Sequence, residues 1–241
     1  MIPSEKLEES RRRLLALWGP QQAQSKRGPL QELIMTILSH RTDYASEKRA
    51  YERMWERFGS WEAIRDAPLE ELTEMIKPAS YPEVKAPYIK QTLAQIIAER
   101  GAPTLDFLET MPTQEAMDWL RRLPGVGPKT ATLLLLFNFR KPVLPVDTHV
   151  HRVSIRVGIL PPRTSAEKAH RLLLEQLPAE ADALFTFHKH FFWHGQRVCH
   201  AIQPKCYQCV LNDFCSFYQE KSRLPREQGR ISVSDKPDLS A

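Results

Sequence analysis

The only four cysteines of this 241-residue chain lie close together, in the pattern C-x6-C-x2-C-x5-C. Four thiolates can complete a tetrahedral zinc site or hold the corners of an iron–sulfur cluster. Two disulfides are a weaker alternative, because a C-x2-C pair would close a very tight loop and no secretory signal accompanies it. The spacing therefore predicts a metal or cluster site but does not separate zinc from iron and sulfide. The predicted ligands are Cys199, Cys206, Cys209 and Cys215.

A second candidate for chemistry is a glycine-bracketed turn, which reads L-P-G-V-G-P-K-T-A at residues 123–131. Two glycines, followed by a proline at the first helical position, leave the backbone N–H groups of a helix N-terminus open to a phosphate. An ordinary tight connection between helices is the alternative. Lys129 would lie in the first turn, where the helix dipole disfavours an ammonium. It is therefore either a neutral-amine nucleophile or an exposed lysine that reaches a phosphate.

Asp147 is the third candidate, because it follows the apolar run 143–146 and precedes T-H-V-H-R-V. This position predicts an N-cap. A carboxylate held by helix N–H groups stays ionised and can stabilise positive charge on a substrate. A simple cap is the alternative, and the two roles are compatible.

Composition limits the class of protein. With 42% hydrophobic residues the chain can bury a core of one large domain or two small lobes. No signal peptide and no membrane-spanning segment is expected, so we predict a soluble, cytoplasmic protein. A net charge of +5 with clustered arginines and lysines is compatible with a polyanionic partner, although charge runs usually form solvated faces.

Helical periodicity dominates, so the predicted fold class is all-α, with short strands only at 143–146 and 231–234. Residues 19–29 are polar and Gly/Pro-punctuated and predict a linker, whereas 221–241 predict a disordered tail. A Thr164 capping box is expected before one helix. The predicted helices cover 4–18, 30–39, 43–57, 69–77, 83–100, 114–122, 128–139, 148–157, 167–177 and 181–194.

Taken together, the hairpin motif, the V-D-T-H motif and the four cysteines resemble the endonuclease III branch of the helix-hairpin-helix DNA glycosylases. The resemblance covers roughly residues 30–218 and includes L-S-H-R-T-D at 38–43. It implies a two-lobed fold with DNA bound across the cleft. One domain would be a six-helix barrel at 30–141, and the other an iron–sulfur domain made of 1–29 and 142–220. The cofactor implied is a [4Fe-4S] cluster.

The resemblance also assigns roles to residues. Lys129 would attack the sugar C1′ of a flipped-out nucleotide, and Asp147 would assist departure of the base. A monovalent cation is expected at the hairpin when DNA is bound. The residues expected to contact DNA are Gly125, Val126, Gly127, Thr130, His40, Arg41, Tyr81, Arg152 and Lys205.

The activity implied is that of a bifunctional DNA glycosylase and AP lyase of base excision repair, which removes oxidised pyrimidines. Such an enzyme would act as a nucleoid-associated monomer on damaged double-stranded DNA. Adenine or mismatch removal is an alternative, but that branch lacks the hairpin lysine and places a glutamate where residues 33–39 have none.

A third interpretation, a weakly active or non-catalytic damage-binding paralogue, is motivated by two departures from the family pattern. His40 and Arg41 replace the usual glutamine, and the loop 77–83 contains two prolines. Retention of both Lys129 and Asp147 argues against this interpretation.

Overall fold

A computed structural model describes residues 1–223, which form twelve α-helices and two short 3₁₀ turns. Residues 224–241, with the predicted strand at 231–234 and most of the predicted tail, lie outside the described residues. The helices are α1 Pro3–Trp18, α2 Pro29–Ser39, α3 Tyr44–Phe58, α4 Trp61–Asp66, α5 Leu69–Met75, α6 Pro82–Arg100, α7 Thr113–Arg121, α8 Pro128–Phe139, α9 Thr148–Val157, α10 Ala166–Leu174, α11 Ala181–Arg197 and α12 Ser216–Arg223.

The predicted all-α class is confirmed, since residues 1–223 contain no β-strand. The strand predicted at 143–146 is wrong: this segment is irregular, because no neighbouring strand pairs with it. Two helices were missed, α4 and α12, and α12 extends three residues into the segment predicted to be disordered. Both are short, so neither shows a helical period over enough residues to be recognised.

Capping residues set several helix ends where the sequence predicts them. Asp43 accepts a hydrogen bond from the Ser46 N–H at the start of α3. The cap of α10 is shifted by one residue from the predicted Thr164: Ser165 accepts from the Lys168 N–H. Each of these caps satisfies an N–H group that has no partner within its helix.

The helices pack in two groups. Helices α2 to α8 pack chiefly on one another around a core that includes Leu33, Ile37 and Leu38, all fully buried. The other group is α1 with α9 to α12, and α8 against α11 is the principal contact between the groups. None of the helices within residues 1–223 is both long and apolar enough to cross a membrane.

The most extensive contact between two helices joins α9 to α11. A Cβ atom placed on Gly195 would lie 2.7 Å from the Cβ of His149, so the two backbones approach as closely as a glycine allows. His149 is the second residue of α9, directly after the Asp147–Thr148 pair. This contact therefore fixes the N-terminal end of α9, where Asp147 lies.

We expect Gly195→Ala to lower the free energy of unfolding by about 1 to 3 kcal/mol, because the added methyl group overpacks the α9–α11 contact. Urea unfolding measures the change. Gly28→Ala is the matched control, since nothing lies within 4 Å of its Cβ position and its φ of −62° suits any residue. The control should change the free energy by less than about 1 kcal/mol. Equal effects of the two substitutions would contradict the proposed close packing.

Candidate active site

The predicted helix–hairpin–helix is present, with α7 and α8 joined by residues 122–127. Gly125 has a φ of +75°, and a Cβ there would lie 2.8 Å from a ring carbon of Tyr88, so both conformation and space require glycine. The hydroxyl of Thr92 donates to the Pro124 carbonyl at 3.1 Å and ties the turn to α6. Within the described residues no side chain caps α8, so its first N–H groups stay available to an anion.

Lys129 is the second residue of α8, directly after this turn, and is partly exposed. Desolvation lowers the pKa of Lys129, whereas the negative charges of Asp147, then Glu47 and Glu32, act in the opposite direction. The helix dipole adds to the desolvation effect, because its positive end faces the ammonium. The structure therefore brings the predicted lysine into electrostatic contact with the predicted carboxylate, in surroundings that favour the neutral amine.

Asp147 caps α9 as predicted. Its Oδ1 accepts hydrogen bonds from the backbone N–H groups of His149 and Val150 at 2.9 and 2.8 Å. Behind it lies His188 of α11, which is 4% exposed and has its Nδ1 2.9 Å from the Pro145 carbonyl. Burial lowers the pKa of His188, so the ring is neutral and Nδ1 donates to that carbonyl. The carboxylate is thus held by the first N–H groups of α9, and His188 holds the backbone two residues before it.

Two buried carboxylates near Lys129 were not predicted as site residues. Glu32 and Glu47 are 9% and 8% exposed, and both lie near Arg27, whose Nη1 is 3.6 Å from Glu32 Oε1 and 3.9 Å from Glu47 Oε1. The hydroxyl of Ser25 donates to Glu32 at 2.7 Å, but no donor within residues 1–223 reaches the Glu47 carboxylate. Burial raises the pKa of Glu47. A glutamate in an otherwise polar helix start carries no sequence signal for such a position.

Three of the residues expected to contact DNA, His40, Arg41 and Tyr81, lie on two neighbouring loops. The ring of His40 is 3.2 Å from the Thr130 hydroxyl, and its pKa is lowered by desolvation and then by the charges of Lys129 and Lys85. Arg41 and Tyr81 are exposed on the two loop tips. Thr130 itself is 2% exposed, so it supports His40 from below.

Val126 is also buried, at 7% exposure, so its side chain does not face outward from the hairpin. The predicted DNA contacts of Val126 and Thr130 therefore require the backbone rather than the side chains. For all of the DNA-binding residues named above, the contact with DNA stays a prediction.

The guanidinium of Arg152 has hydrogen-bond partners within the protein. Its guanidinium donates to the carbonyls of Cys199 and Gly195 at 2.9 and 2.8 Å, and these bonds fasten α9 to the cysteine loop and to α11. Lys205 is exposed between two of the cysteines. Arg156, which sequence reasoning missed, donates to the carbonyls of His200 and Ala201 at 2.6 and 2.8 Å. In a sequence, arginines that donate to backbone carbonyls cannot be told apart from arginines that form a basic surface patch.

All four cysteines are free thiols and line one cavity, together with His194 and Phe217, so the disulfide alternative fails. The ring Nε2 of His194 is 3.4 Å from Cys209 Sγ, and Arg156 Nη1 is 3.5 Å from Cys199 Sγ. Burial, and then the neighbouring thiols, raise the pKa of Cys209 to about 12. Within residues 1–223 no three His, Cys, Asp or Glu side chains lie close enough to hold a single metal ion.

Residues 1–223 are all-helical, with a hairpin that leaves the first N–H groups of α8 open, a lysine in the first turn of α8 and an aspartate N-cap on α9. This combination defines the class of helix-hairpin-helix DNA repair proteins. The profile of "HhH-GPD superfamily base excision DNA repair protein" matches residues 34–179. The chain is 32% identical to Endonuclease III of Thermotoga maritima over 195 aligned residues. The aligned region covers 81% of this chain and 86% of that protein. The chain therefore belongs to the HhH-GPD superfamily and, within it, to the endonuclease III family.

Solved structures agree. A trapped endonuclease III–DNA covalent intermediate matches with a TM-score of 0.80 at 26% identity, over 92% of this chain and all of the other. A non-covalent endonuclease III–DNA complex matches with a TM-score of 0.79 at 26% identity, over 93% and 100%. The predicted family and fold are confirmed. The protein is a base excision repair DNA glycosylase with AP lyase activity, and damaged double-stranded DNA is its partner.

We expect Glu47→Gln to lower the pKa of Lys129 further, because the substitution removes a negative charge that stabilises the ammonium. NMR titration of ¹⁵N-labelled lysine side chains measures this shift, with the Lys129 resonance assigned by its absence in Lys129→Arg. Glu52→Gln is the matched control on the same helix, since Glu52 is exposed and pairs with Lys48. An unchanged or raised pKa of Lys129 in Glu47→Gln would show that this carboxylate does not act on the amine.

Proposed function

We propose that Lys129 is the nucleophile of the glycosylase and lyase reactions and that the substrates are oxidised pyrimidines in duplex DNA. One observation supports this most directly. The Lys129 amine has a lowered pKa and lies at a helix N-terminus that no side chain of the described residues caps, and the charge of the Asp147 carboxylate, which caps α9, interacts with it. A neutral amine beside a fixed carboxylate suits attack on a carbon that develops positive charge. The name endonuclease III and the covalent DNA complex of a relative support the same chemistry.

The reaction balances with these groups. The Lys129 amine bonds to C1′, the C1′–N bond breaks and the base leaves with the electron pair and takes up a proton. Loss of a proton from Nζ and opening of the sugar ring give a Schiff base. The Schiff base acidifies C2′–H, so removal of that proton expels the 3′ phosphate by β-elimination. Asp147 stabilises the positive charge on the sugar as the base departs.

The hairpin supplies the grip on the DNA backbone. The open N–H groups at the start of α8 and the positive end of its dipole suit a phosphate next to the lesion. Since Lys129 is part of the same first turn, a phosphate bound there would bring the neighbouring sugar to the amine. The monovalent cation expected at this hairpin stays a prediction, on which no observation bears.

The two helix groups support the proposed domains, a barrel at 30–141 and a discontinuous domain from 1–29 and 142–220. The second would hold a [4Fe-4S] cluster on Cys199, Cys206, Cys209 and Cys215. These residues fit that group: four free thiols line one cavity, whereas thiolates around a single zinc ion would lie only roughly 3.8 Å apart. A bound cluster would cross-link the loop, and its role would be structural.

We expect borohydride to trap a covalent adduct between the native protein and an abasic duplex, and we expect Lys129→Ala to abolish this adduct.

Asp147→Asn keeps a side chain that can cap α9 but loses the charge, so we expect roughly 100-fold slower base release. Lys168→Ala, an exposed lysine on α10, is the control. Failure of the native protein to form an adduct would favour the non-catalytic alternative. Adenine release from a mispair by Lys129→Ala would favour the adenine alternative.

For the cofactor, we expect the purified protein to be brown and to contain about four iron and four sulfide per chain. Cys206→Ala should lose the visible absorption and lower the thermal stability, because one corner of the cluster is then unligated. Tyr207→Ala is the matched control, since this neighbouring side chain is 78% exposed. A colourless preparation with one zinc per chain would contradict the cluster.

A further inference from the structure

Two neighbouring loops, one of which contacts the start of α8 through His40, each carry a non-glycine residue in the left-handed backbone conformation. Arg41, in the α2–α3 loop, has a φ of 54°, and Tyr81, in the α5–α6 loop, has a φ of 57°. Side chains other than glycine rarely adopt this conformation, and it persists only where the surroundings enforce it. Both loops are therefore held in place by contacts elsewhere.

The two residues also contact each other. The guanidinium of Arg41 lies 5.8 Å from the centre of the Tyr81 ring, within the range of a cation–π interaction. Tyr81 is 51% exposed and Arg41 is exposed too, so the pair projects from the protein beside Lys129 and its hairpin rather than packing in the core. Strained backbone beneath an exposed stacked pair is typical of a functional protrusion.

Lys85 lies under this pair. It is 4% exposed, and its Nζ donates to the carbonyls of Leu38 and His40, both at 2.7 Å, and to the Thr42 hydroxyl oxygen at 2.8 Å. The three ammonium protons thus have three acceptors, all at the end of α2 or in the loop that carries Arg41.

Thr42 extends this link to the second loop. Its hydroxyl oxygen also accepts from the Ser80 N–H at 3.0 Å, in the residue directly before Tyr81. Lys85 is in the first turn of α6, which Tyr81 caps, so one buried ammonium joins both loop tips to one helix end. Desolvation lowers the pKa of Lys85 to about 8. An ammonium buried at this cost is retained because it makes all three of its hydrogen bonds.

We propose that Lys85 is a positioning residue that holds Arg41 and Tyr81 as one preassembled wedge, which enters the duplex where the damaged base leaves it. This inference rests on the proposed function and extends it. Extruding a base costs stacking and pairing energy, and a rigid wedge that needs no ordering on binding lowers that cost. Lys85 itself does not touch the reacting atoms.

The test compares Lys85→Met with Lys90→Met. Lys90 is in the same helix, and its ammonium also donates to backbone carbonyls, those of Arg65 and Ala67, but at the end of α4. We expect Lys85→Met to slow single-turnover base release from a duplex with a paired oxidised pyrimidine by tenfold or more. Trapping on single-stranded DNA with an abasic site needs no extrusion, so it should change less than twofold. Lys90→Met should leave both unchanged.

A general loss of structure in Lys85→Met would slow base release and trapping equally, rather than base release alone. If Lys85→Met slows both reactions equally, or if Lys90→Met reproduces its effect, Lys85 is not a positioning residue. If Lys85→Met does not fold, Thr42→Val removes the shared acceptor and should give the same split between the two substrates. Trapping by Lys129→Ala would instead overturn the proposed nucleophile, so the two failures are distinguishable.

A double-mutant cycle tests whether the pair acts as a unit. We expect Arg41→Ala and Tyr81→Ala to have non-additive effects on base release in the native background, because each substitution dismantles the same wedge. In the Lys85→Met background the two effects should become additive. Additive effects in the native background would overturn the single wedge.

Discussion

The site depends on surroundings that lower the pKa of one primary amine within a protein that binds a polyanion. Lys129 begins with an ordinary lysine pKa, and desolvation together with the α8 dipole favours loss of its proton. The carboxylates of Asp147, Glu47 and Glu32 oppose that loss, and a bound phosphate would oppose it further. The partly exposed Arg27 and the buried Lys85 lie near Glu47 and offset part of this negative charge. Reactivity is thus set by a group of charges rather than by one pair.

The position of this amine is fixed by the contacts of the hairpin turn. The same turn that exposes the N–H groups of α8 carries Lys129, and the turn is held by Tyr88 and Thr92 of α6. Helix α6 also begins at its N-cap residue Tyr81 and carries Lys85, which joins the α2–α3 and α5–α6 loops. One helix therefore sets the relative positions of the hairpin, Lys129 and these two loops, which are the proposed phosphate grip, the proposed nucleophile and the proposed lesion-side loops. The proline inside α6 does not prevent this, because Pro87 still lies near the start of the helix.

The sequence could predict the parts of the site that depend on local chemistry. A glycine-bracketed turn, a lysine in the first turn, a capping aspartate and four crowded cysteines each have a short-range reason for their residue types. The structure shows the turn, the first-turn lysine, the aspartate cap and one cavity lined by the cysteines, while the roles of these residues in catalysis and cofactor binding stay predictions. Glu32, Glu47 and Lys85 could not be found in this way, because their roles arise from burial against distant segments. Arg152 shows the converse: a basic residue in a suggestive cluster has backbone carbonyls as its partners. The irregular segment 143–146 looked like a strand only because its apolar residues are buried.

The position of the cysteine loop is explained by its contacts with α9. Helix α9 begins at Asp147, and its arginines Arg152 and Arg156 hold the carbonyls of residues 199–201. Cys215 donates to the Arg156 carbonyl at the far end of the helix. Lys6 of α1 donates to the Val157 carbonyl and to Ser216, which secures the same end. A loop cross-linked by a cluster would therefore anchor α9 along its length, and a fixed α9 keeps the Asp147 carboxylate facing the amine. On this argument a bound cluster would support catalysis by positioning Asp147, without taking part in the reaction.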